Sequence, residues 1–376
     1  MENYFTSIEP FYRVAKIFGL FPMNFEEPVR KGNLNFTKIS IVRTIGTFAL
    51  LIAMNCMIIH NHITYQSENQ PFLSLMVWSW FLILVYPIII IQLIVQVYKI
   101  KDIRKFLHFM HQIDLKFRQL NIQINHKVCH KKIFYITMFA IGTMLIRFLA
   151  STIYAFKKKT FVFTQGNMII QEICYLCFLF YQCFFTLQFI IPTYLVKKRF
   201  EALKDLLRYE RFNEQYLNLQ LYAKTFHDLC DAIESINNLF AFHLVPILLT
   251  MLIVNVFGMY SIFKYLSTPG TTSLYLATAY VVSMHLILMI LTAHIGSTTS
   301  REPEKLIEMI AKLINDLSLN HPSRFVLYNY VKQFQTRNFN FQALFLTINW
   351  NFVLGTTSTT VTYLIIICQF QSPLVN

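Results

Sequence analysis

Long apolar segments recur along this chain, separated by polar segments of very unequal length. Because a helix needs about 20 residues with few charges to cross the hydrocarbon of a bilayer, such segments predict membrane-spanning helices. Seven are present, and we name them S1 to S7. They are Ile39–Ile63, Leu73–Tyr98, Ile133–Phe156, Met168–Val196, Leu239–Leu266, Leu274–Ile295 and Phe352–Gln371. The predicted fold class is an all-α membrane protein with seven transmembrane helices.

The longer polar segments are amphipathic. In residues 200–236 and 306–317, apolar side chains recur every three or four positions among charges, which predicts helices. We expect S4, S5 and S6 to continue as helices beyond the membrane and to form an anchor bundle. The segment Ser300–Pro303 is typical of a helix start, and residues 325–348 predict a further helix before S7.

These elements give a plan for the whole chain. It consists of a cytoplasmic N-terminal segment (residues 1–38), transmembrane helices S1–S4 (39–196), a cytoplasmic helical connection (197–238), transmembrane helices S5–S6 (239–296), cytoplasmic anchor helices (297–351), the pore helix S7 (352–371) and an extracellular C-terminus (372–376).

Composition and charge fit this plan and set its orientation. Hydrophobic residues make up 55% of the chain, the mean hydropathy is +0.46 and the net charge is +14. Nine Lys and Arg residues lie between S2 and S3, whereas the outer loops Thr64–Phe72 and Ser267–Ser273 have none. A third outer loop carries Lys157, Lys158 and Lys159, but these three are outnumbered. Since basic loops stay in the cytoplasm, the N-terminus is predicted inside and the C-terminus outside, opposite to G-protein-coupled receptors. Basic residues beside spans indicate contact with anionic membrane lipids and argue against nucleic-acid binding.

Polar residues follow one face of S7. They form the stripe Thr359, Thr362, Ile366 and Gln369 at helical spacing. Hydrocarbon cannot satisfy polar groups, so this face contacts protein or water. One interpretation is hydrogen bonding between helices of a single bundle. The other is a pore lined by copies of S7, with Ile366 as an apolar constriction and Gln369 as a polar ring.

The end of S7 resembles a known family. Thr362-Tyr363, five apolar or small residues, and then Gln369-Phe370 is similar to the signature that closes the last helix of insect gustatory receptors. Upstream, Phe226–Asp231 followed by Ile236-Asn237 is similar to the pattern of that family before S5. Cys368 stands where an aliphatic residue is more common.

The resemblance implies a ligand-gated cation channel made of four identical or related subunits. Four copies of the last helix would surround one axial pore, held together by the anchor helices. Gln369 would line the pore near its extracellular constriction, and each subunit would bind a ligand among the outer halves of S2 to S6.

Candidate ligand-binding residues lie in those outer halves. They are Trp78, Trp80, Arg147, Tyr154, Glu172, Tyr175, Tyr260, Tyr280 and His285. Arg147 and Glu172 are ionisable groups within spans, where charge is costly, so they either pair with each other or face the ligand. His285 is either a hydrogen-bonded buried histidine or a ligand contact. The aromatic residues belong either to an interfacial belt or to an amphipathic pocket.

No catalytic signature is present, so an enzyme is not predicted, and neither a cofactor nor a metal site is expected. The predicted function is a gustatory receptor of the plasma membrane, a non-selective cation channel opened by a small tastant such as a sugar or a bitter compound. A metabotropic seven-span receptor that signals through a partner protein is the alternative, and a transporter is a third hypothesis.

Overall fold

The computed structural model describes residues 4–20, 24–25, 34–35, 42–47, 49–50, 52–53, 56, 87–157, 162–210, 219–266, 272–316, 322–344 and 346–371. Within these ranges, the side chains of 150–151, 154–157, 162–172, 174–175 and a few helix-end residues are not described. Predicted span S1 and the first half of S2 therefore lie mostly outside the described residues.

The described chain is mainly helical, with two short hairpins. Its longer helices are α1 Tyr4–Ile17, α2 Pro87–Tyr98, α3 Ile100–Gln119, α4 His126–Lys157, α5 Val162–Glu210, α6 Leu219–Leu266, α7 Thr272–Asp316, α8 Pro322–Gln335 and α9 Trp350–Gln371. The strands are β1 Asn24–Phe25 and β2 Leu34–Asn35, then β3 Gln342–Ala343 and β4 Leu346–Thr347, each pair antiparallel.

Five of these helices, α4, α5, α6, α7 and α9, are long and apolar enough to cross a membrane. They correspond to predicted spans S3 to S7. Helix α2, the second half of predicted S2, is apolar but shorter. The all-helical membrane class is confirmed, while the full count of seven spans stays a prediction.

Three of the spanning helices are much longer than a membrane is thick. Helices α5, α6 and α7 have 49, 48 and 45 residues, which at 1.5 Å per residue is about 70 Å against a hydrocarbon thickness of about 30 Å. Each therefore extends beyond one face of the membrane, as the amphipathic pattern predicts, and the three pack against one another along their length.

The helix start predicted at Ser300–Pro303 is wrong, because α7 runs through Pro303 without a break. The proline ring removes one backbone hydrogen bond, which normally kinks or ends a helix. Here the adjacent Glu302, 5% exposed, accepts bonds from Lys204 of α5 and from Lys305 of its own helix, both within 2.8 Å. These contacts help to hold the helix in place across the proline.

The helix predicted over residues 325–348 is also only partly correct. Helix α8 ends at Gln335, and the chain continues into the β3–β4 hairpin. The physical reason is an alternation of polar and apolar residues after Arg337: Phe339 and Phe341 are buried while Asn340 is exposed. A period of two belongs to extended chain, not to a helix. We name residues 336–349, which lead into α9, the base segment.

The N-terminal helix is attached to the bundle through a buried ion pair. Arg199 of α5 is fully buried and donates two bonds, of 2.8 and 2.9 Å, to the carboxylate of Asp114 on α3. The Tyr4 ring of α1 lies 5.1 Å from the same guanidinium, and burial raises the pKa of its phenol. His126 of α4, which shares a hydrogen bond with Ser7 of α1, lies 3.6 Å from the Asp114 carboxylate. One buried charge pair thus links four helices.

Candidate functional site

The terminal helix α9 packs on α6 and α7 through a narrow face. Thr356 and Thr360 are buried on this face, but only 11% of the helix's most apolar stretch is buried in the subunit. Of the predicted stripe, Thr359 is half-buried, whereas Thr362, Ile366 and Gln369 are exposed. The stripe therefore lies mostly on the side of α9 that its own subunit leaves uncovered. Tyr363 of the terminal signature is also exposed, and the side chain of Phe370 lies outside the described residues.

The threonines of α9 share one hydrogen-bonding pattern. The hydroxyls of Thr356, Thr357, Thr359, Thr360 and Thr362 each donate to the carbonyl four residues earlier, at 2.8 to 3.0 Å. Their donor protons are therefore used within the helix. What each hydroxyl presents outward is oxygen lone pairs, so the exposed threonines make a surface that accepts hydrogen bonds or contacts cations.

The base segment is fixed to α6 by the residues of the upstream sequence pattern. Asn237 donates to the Asn340 carbonyl at 3.0 Å and accepts from the Gln342 amide at 3.1 Å. The Asn237 side chain therefore binds the base segment through both its NH2 group and its oxygen. The pattern residues Phe226 and Ile236 are fully buried in the core.

A second contact joins the base segment to α6 through charge. Arg337 donates to Asp231 at 2.7 Å and contacts Nε2 of His227 at 2.9 Å. The other ring nitrogen of His227 lies 3.0 Å from the same Asp231 carboxylate. Because arginine can only donate, Nε2 accepts here, so the imidazole proton is on Nδ1 and faces Asp231.

His227, Asp228 and Asp231 have ligand atoms close enough to hold a metal ion. Their charges, however, are already balanced within the protein. The guanidinium of Arg337 contacts His227 and Asp231, and the ammonium of Lys116 on α3 contacts Asp228. The cluster is therefore better described as a salt-bridge network than as a cation site.

A third contact at the base segment is steric. A side chain at Gly296 of α7 would place its Cβ 2.8 Å from the carbonyl oxygen of Ile348, closer than real atoms approach. His294, two residues earlier, packs edge-on against the Trp350 ring, with centroids 6.1 Å apart. Helix α7 therefore touches the chain at the point where α9 begins.

A small cavity lies between α4, α5 and α7. Its lining is Met144, Leu179, Gln182, Cys183, Tyr280, Met284, His285 and Leu288. The space it leaves for a water-sized molecule, about 10 Å³, is that of roughly one water. The cavity is therefore nearly closed in this conformation.

Two of the predicted ligand-binding residues, Tyr280 and His285, line this cavity. His285 is 1% exposed, donates from Nδ1 to the Val281 carbonyl at 2.8 Å and contacts the Gln182 amide through Nε2 at 2.9 Å. Because a neutral imidazole has one N–H, Nε2 accepts from the amide. Tyr280 donates to the Thr143 carbonyl at 2.6 Å. Arg147, buried, places its guanidinium 5.8 Å from the Tyr280 ring. The structure thus brings Arg147, Tyr280 and His285 together at one place.

The other candidates do not join this group. Tyr260 is buried on α6, away from the residues that line the cavity. Trp78 and Trp80 lie outside the described residues, as do the side chains of Tyr154, Glu172 and Tyr175, so the predicted Arg147–Glu172 pair is not described.

Gln182 is a cavity residue that the sequence reasoning missed. It is buried, and His285 contacts only one end of its amide, so the other end has no hydrogen-bond partner among the described residues. The available signal was an amide within the otherwise apolar run Phe178–Phe185. Polar side chains in spans face protein or cavities, and this rule applies to Gln182 as well as to S7.

Comparisons with known proteins agree with this architecture. Residues 8–372 match the sequence profile of the family described as 7tm chemosensory receptor. In structure, the chain is similar to the insect olfactory receptor OR5 from Machilis hrabei, solved in complex with eugenol, with a TM-score of 0.70 over 97% of each chain and 9% sequence identity. At that identity the likeness shows the fold. No curated protein matches. Since the profile spans nearly the entire sequence, the resemblance to chemosensory receptors is confirmed, and the chain belongs to the 7tm chemosensory receptor family.

Proposed function

We propose that this chain is a gustatory receptor and forms a ligand-gated, non-selective cation channel in the plasma membrane. The observation that carries the proposal is the terminal helix, which leaves Thr362, Ile366 and Gln369 uncovered by its own subunit. A polar stripe facing lipid would be costly. We therefore expect it to face water at an axis shared by several copies of the chain, and the family resemblance implies four.

The surface of α9 suits the passage of cations. The exposed hydroxyl of Thr362 presents oxygen lone pairs, since its proton is used within the helix. Cations are stabilised by such acceptors and anions are not. Ile366 would form an apolar constriction that stops conduction when it is dry, and Gln369 would form a polar ring beyond it.

The cavity between α4, α5 and α7 is the proposed ligand site. Its lining is mainly methionine and leucine, with Gln182, Tyr280 and His285 as the polar side chains. A sugar would leave most of its hydroxyls without partners there, which is unfavourable. A small, largely apolar molecule with one hydrogen-bonding group fits better, because His285 occupies only one end of the Gln182 amide. Between the two predicted ligand classes, this favours bitter compounds over sugars.

Helix α7 provides a direct connection from this cavity to the pore helix. Its residues Tyr280 to Leu288 line the cavity, and Gly296, about two turns further along, touches Ile348 at the start of α9. A ligand needs more space than the cavity now offers, so binding must move α7 relative to α4 and α5. The ligand opens the channel to the extent that it binds the wider state more tightly.

The test is an electrical recording from the chain expressed alone, with bitter compounds and sugars applied to excised membrane patches. Excised patches bathed without GTP cannot support G-protein signalling, so a ligand-evoked cation current there identifies an ionotropic receptor. A response that occurs only in intact cells and is abolished by blocking G proteins would instead identify the metabotropic alternative.

The pore assignment has its own test. Gln369→Glu adds one carboxylate per subunit to the proposed ring and should raise the permeability ratio of divalent to monovalent cations several-fold. Gln333→Glu makes the same change at an exposed position on α8 and should leave the ratio unchanged. If the permeability ratio is the same in both variants and in the unmodified channel, Gln369 does not line the pore.

A further inference from the structure

A group of lysines converges where α4 and α5 leave the apolar zone. Along the exposed side of α4, Lys131 and Lys132 are followed directly by exposed apolar residues, of which Phe134 is 43% and Tyr135 66% exposed. On α4, such a change from charge to exposed apolar surface marks the border of the hydrocarbon. On α5, which packs against α4, Lys197 and Lys198 follow a long apolar run that is buried in the subunit.

The aromatic ring of Tyr194 on α5 lies near lysines of both helices. The Nζ atoms of Lys132 and of Lys198 each lie 5.9 Å from the centroid of the Tyr194 ring. Two ammonium groups from different helices therefore flank one half-buried tyrosine. The hydroxyl oxygen of Tyr194 is buried, so what the two ammonium groups share is the ring and not the hydroxyl.

The positive charge of this group is not balanced by the protein. Lys198 contacts Glu201, and the neighbouring Arg199 is neutralised by Asp114 in the interior. Lys132, by contrast, has no carboxylate within ion-pair distance in the part of the chain that the structure describes, and neither have Lys131 and Lys197. We name Lys131, Lys132, Tyr194, Lys197 and Lys198 the basic junction. It holds one acidic partner for four ammonium groups.

We propose that the basic junction binds the phosphate of an anionic lipid headgroup, of the phosphoinositide class, in the leaflet that faces the cytoplasm. A phosphate monoester carries between one and two negative charges and three strong acceptor oxygens, which match the ammonium groups of Lys132 and Lys198. Basic pockets between membrane helices on the cytoplasmic side are suited to such headgroups. The acyl chains would lie along the exposed apolar side of α4.

Binding of a fluorescent phosphatidylinositol 4-phosphate to the purified full-length protein in phosphatidylcholine nanodiscs tests the proposal. Lys132→Gln combined with Lys198→Gln should weaken binding on the order of 20-fold, since each lysine near an anionic headgroup contributes about a fivefold preference. Lys132→Arg with Lys198→Arg keeps the charge and should retain binding. The Arg pair alters the same positions as the Gln pair but keeps their charge. Retained binding in the Arg pair therefore shows that the Gln pair lost the site and not the fold.

The control removes the same two charges elsewhere. Lys101→Gln with Lys312→Gln changes two exposed lysines on α3 and α7 and should alter binding less than twofold. Equal losses in both Gln pairs would show general electrostatics and overturn the site, as would no loss in either. A competition experiment separates a lipid from a free phosphate. If soluble inositol phosphate displaces the fluorescent lipid at the same concentration as unlabelled lipid does, the junction binds a free phosphate and the lipid assignment is wrong.

Discussion

The buried pair of Asp114 and Arg199 gives the sharpest prediction about stability. The two side chains are 2% and 0% exposed, and two hydrogen bonds of 2.8 and 2.9 Å join them. Asp114→Asn keeps the shape but leaves an uncompensated guanidinium in the interior. Removing one partner of a buried ion pair costs about 3–5 kcal/mol. At roughly 2 °C per kcal/mol for a chain of this size, the thermal midpoint should fall by about 6–10 °C.

A matched control lies on the same helix. Asp102, 57% exposed, contacts Lys105 at 3.3 Å, and exposed pairs of this kind contribute about 0–1 kcal/mol. Asp102→Asn should therefore shift the midpoint by less than about 2 °C. Both substitutions remove one carboxylate charge from α3, so the difference between them measures burial.

The assay is thermal unfolding of a fluorescent fusion in detergent, followed by size-exclusion chromatography. Replacing both partners with apolar residues, Asp114→Leu with Arg199→Met, should recover most of the loss, because the penalty arises from an unpaired charge. If Asp114→Asn shifts the midpoint no more than Asp102→Asn does, the reasoning is refuted. If the double replacement is as unstable as Asp114→Asn, the pair has a role beyond its charge.

Three further predictions follow from the same structure. Gly296→Ala should reduce the ligand-evoked current, because its Cβ would lie 2.8 Å from the backbone carbonyl of Ile348, just before α9. Gly142→Ala, with nothing within 4 Å, should leave the current unchanged, and equal currents in the two variants would refute the role of the contact. Burial lowers the pKa of His108 and of His111 below the usual value of 6.5, so acid should destabilise the fold as the pH falls below about 6.5. Replacing both with Gln should shrink the drop in thermal midpoint between pH 7.0 and 5.5, and an unchanged drop would contradict this. Gln182→Leu should raise the half-maximal concentration of ligands that carry a hydrogen-bonding group about 5–10-fold, the value of one hydrogen bond, without affecting ligands that lack such a group. Equal shifts for both would exclude the amide as a ligand contact.

Periodicity was enough to predict much of this fold. The spans from S3 onward and their helical extensions follow from apolar runs and from repeats of three and four residues. The base segment was missed because its alternation, with Phe339 and Phe341 inward, occupies only a few residues directly after a helix. Two-residue strands give too little pattern to be recognised.

The candidate site was predictable only in part, for a different reason. A helical pattern tells which residues share a face, and it found the stripe of α9, but it does not tell which helix lies opposite. Tyr280 and His285 were predicted individually, while their meeting with Gln182 depends on the packing of α5 against α7. The role of Asn237 likewise needs a backbone partner about 100 residues further along the chain.

The way α9 is held has a consequence for where it can bend. The base segment directly before α9 is fixed by Asn237, by Arg337 and by the tight contact at Gly296, whereas the far half of α9 has no buried residue among those described. A helix that is fixed at one end can bend along its uncovered part more easily than beside the fixed end. Within that length, the run from Gly355 to Thr362 combines a glycine with hydroxyls that share backbone carbonyls, a pattern that favours helix bending. Any sideways movement of Ile366 and Gln369 would therefore be a lever movement about this run, with its displacement growing toward the end of the helix.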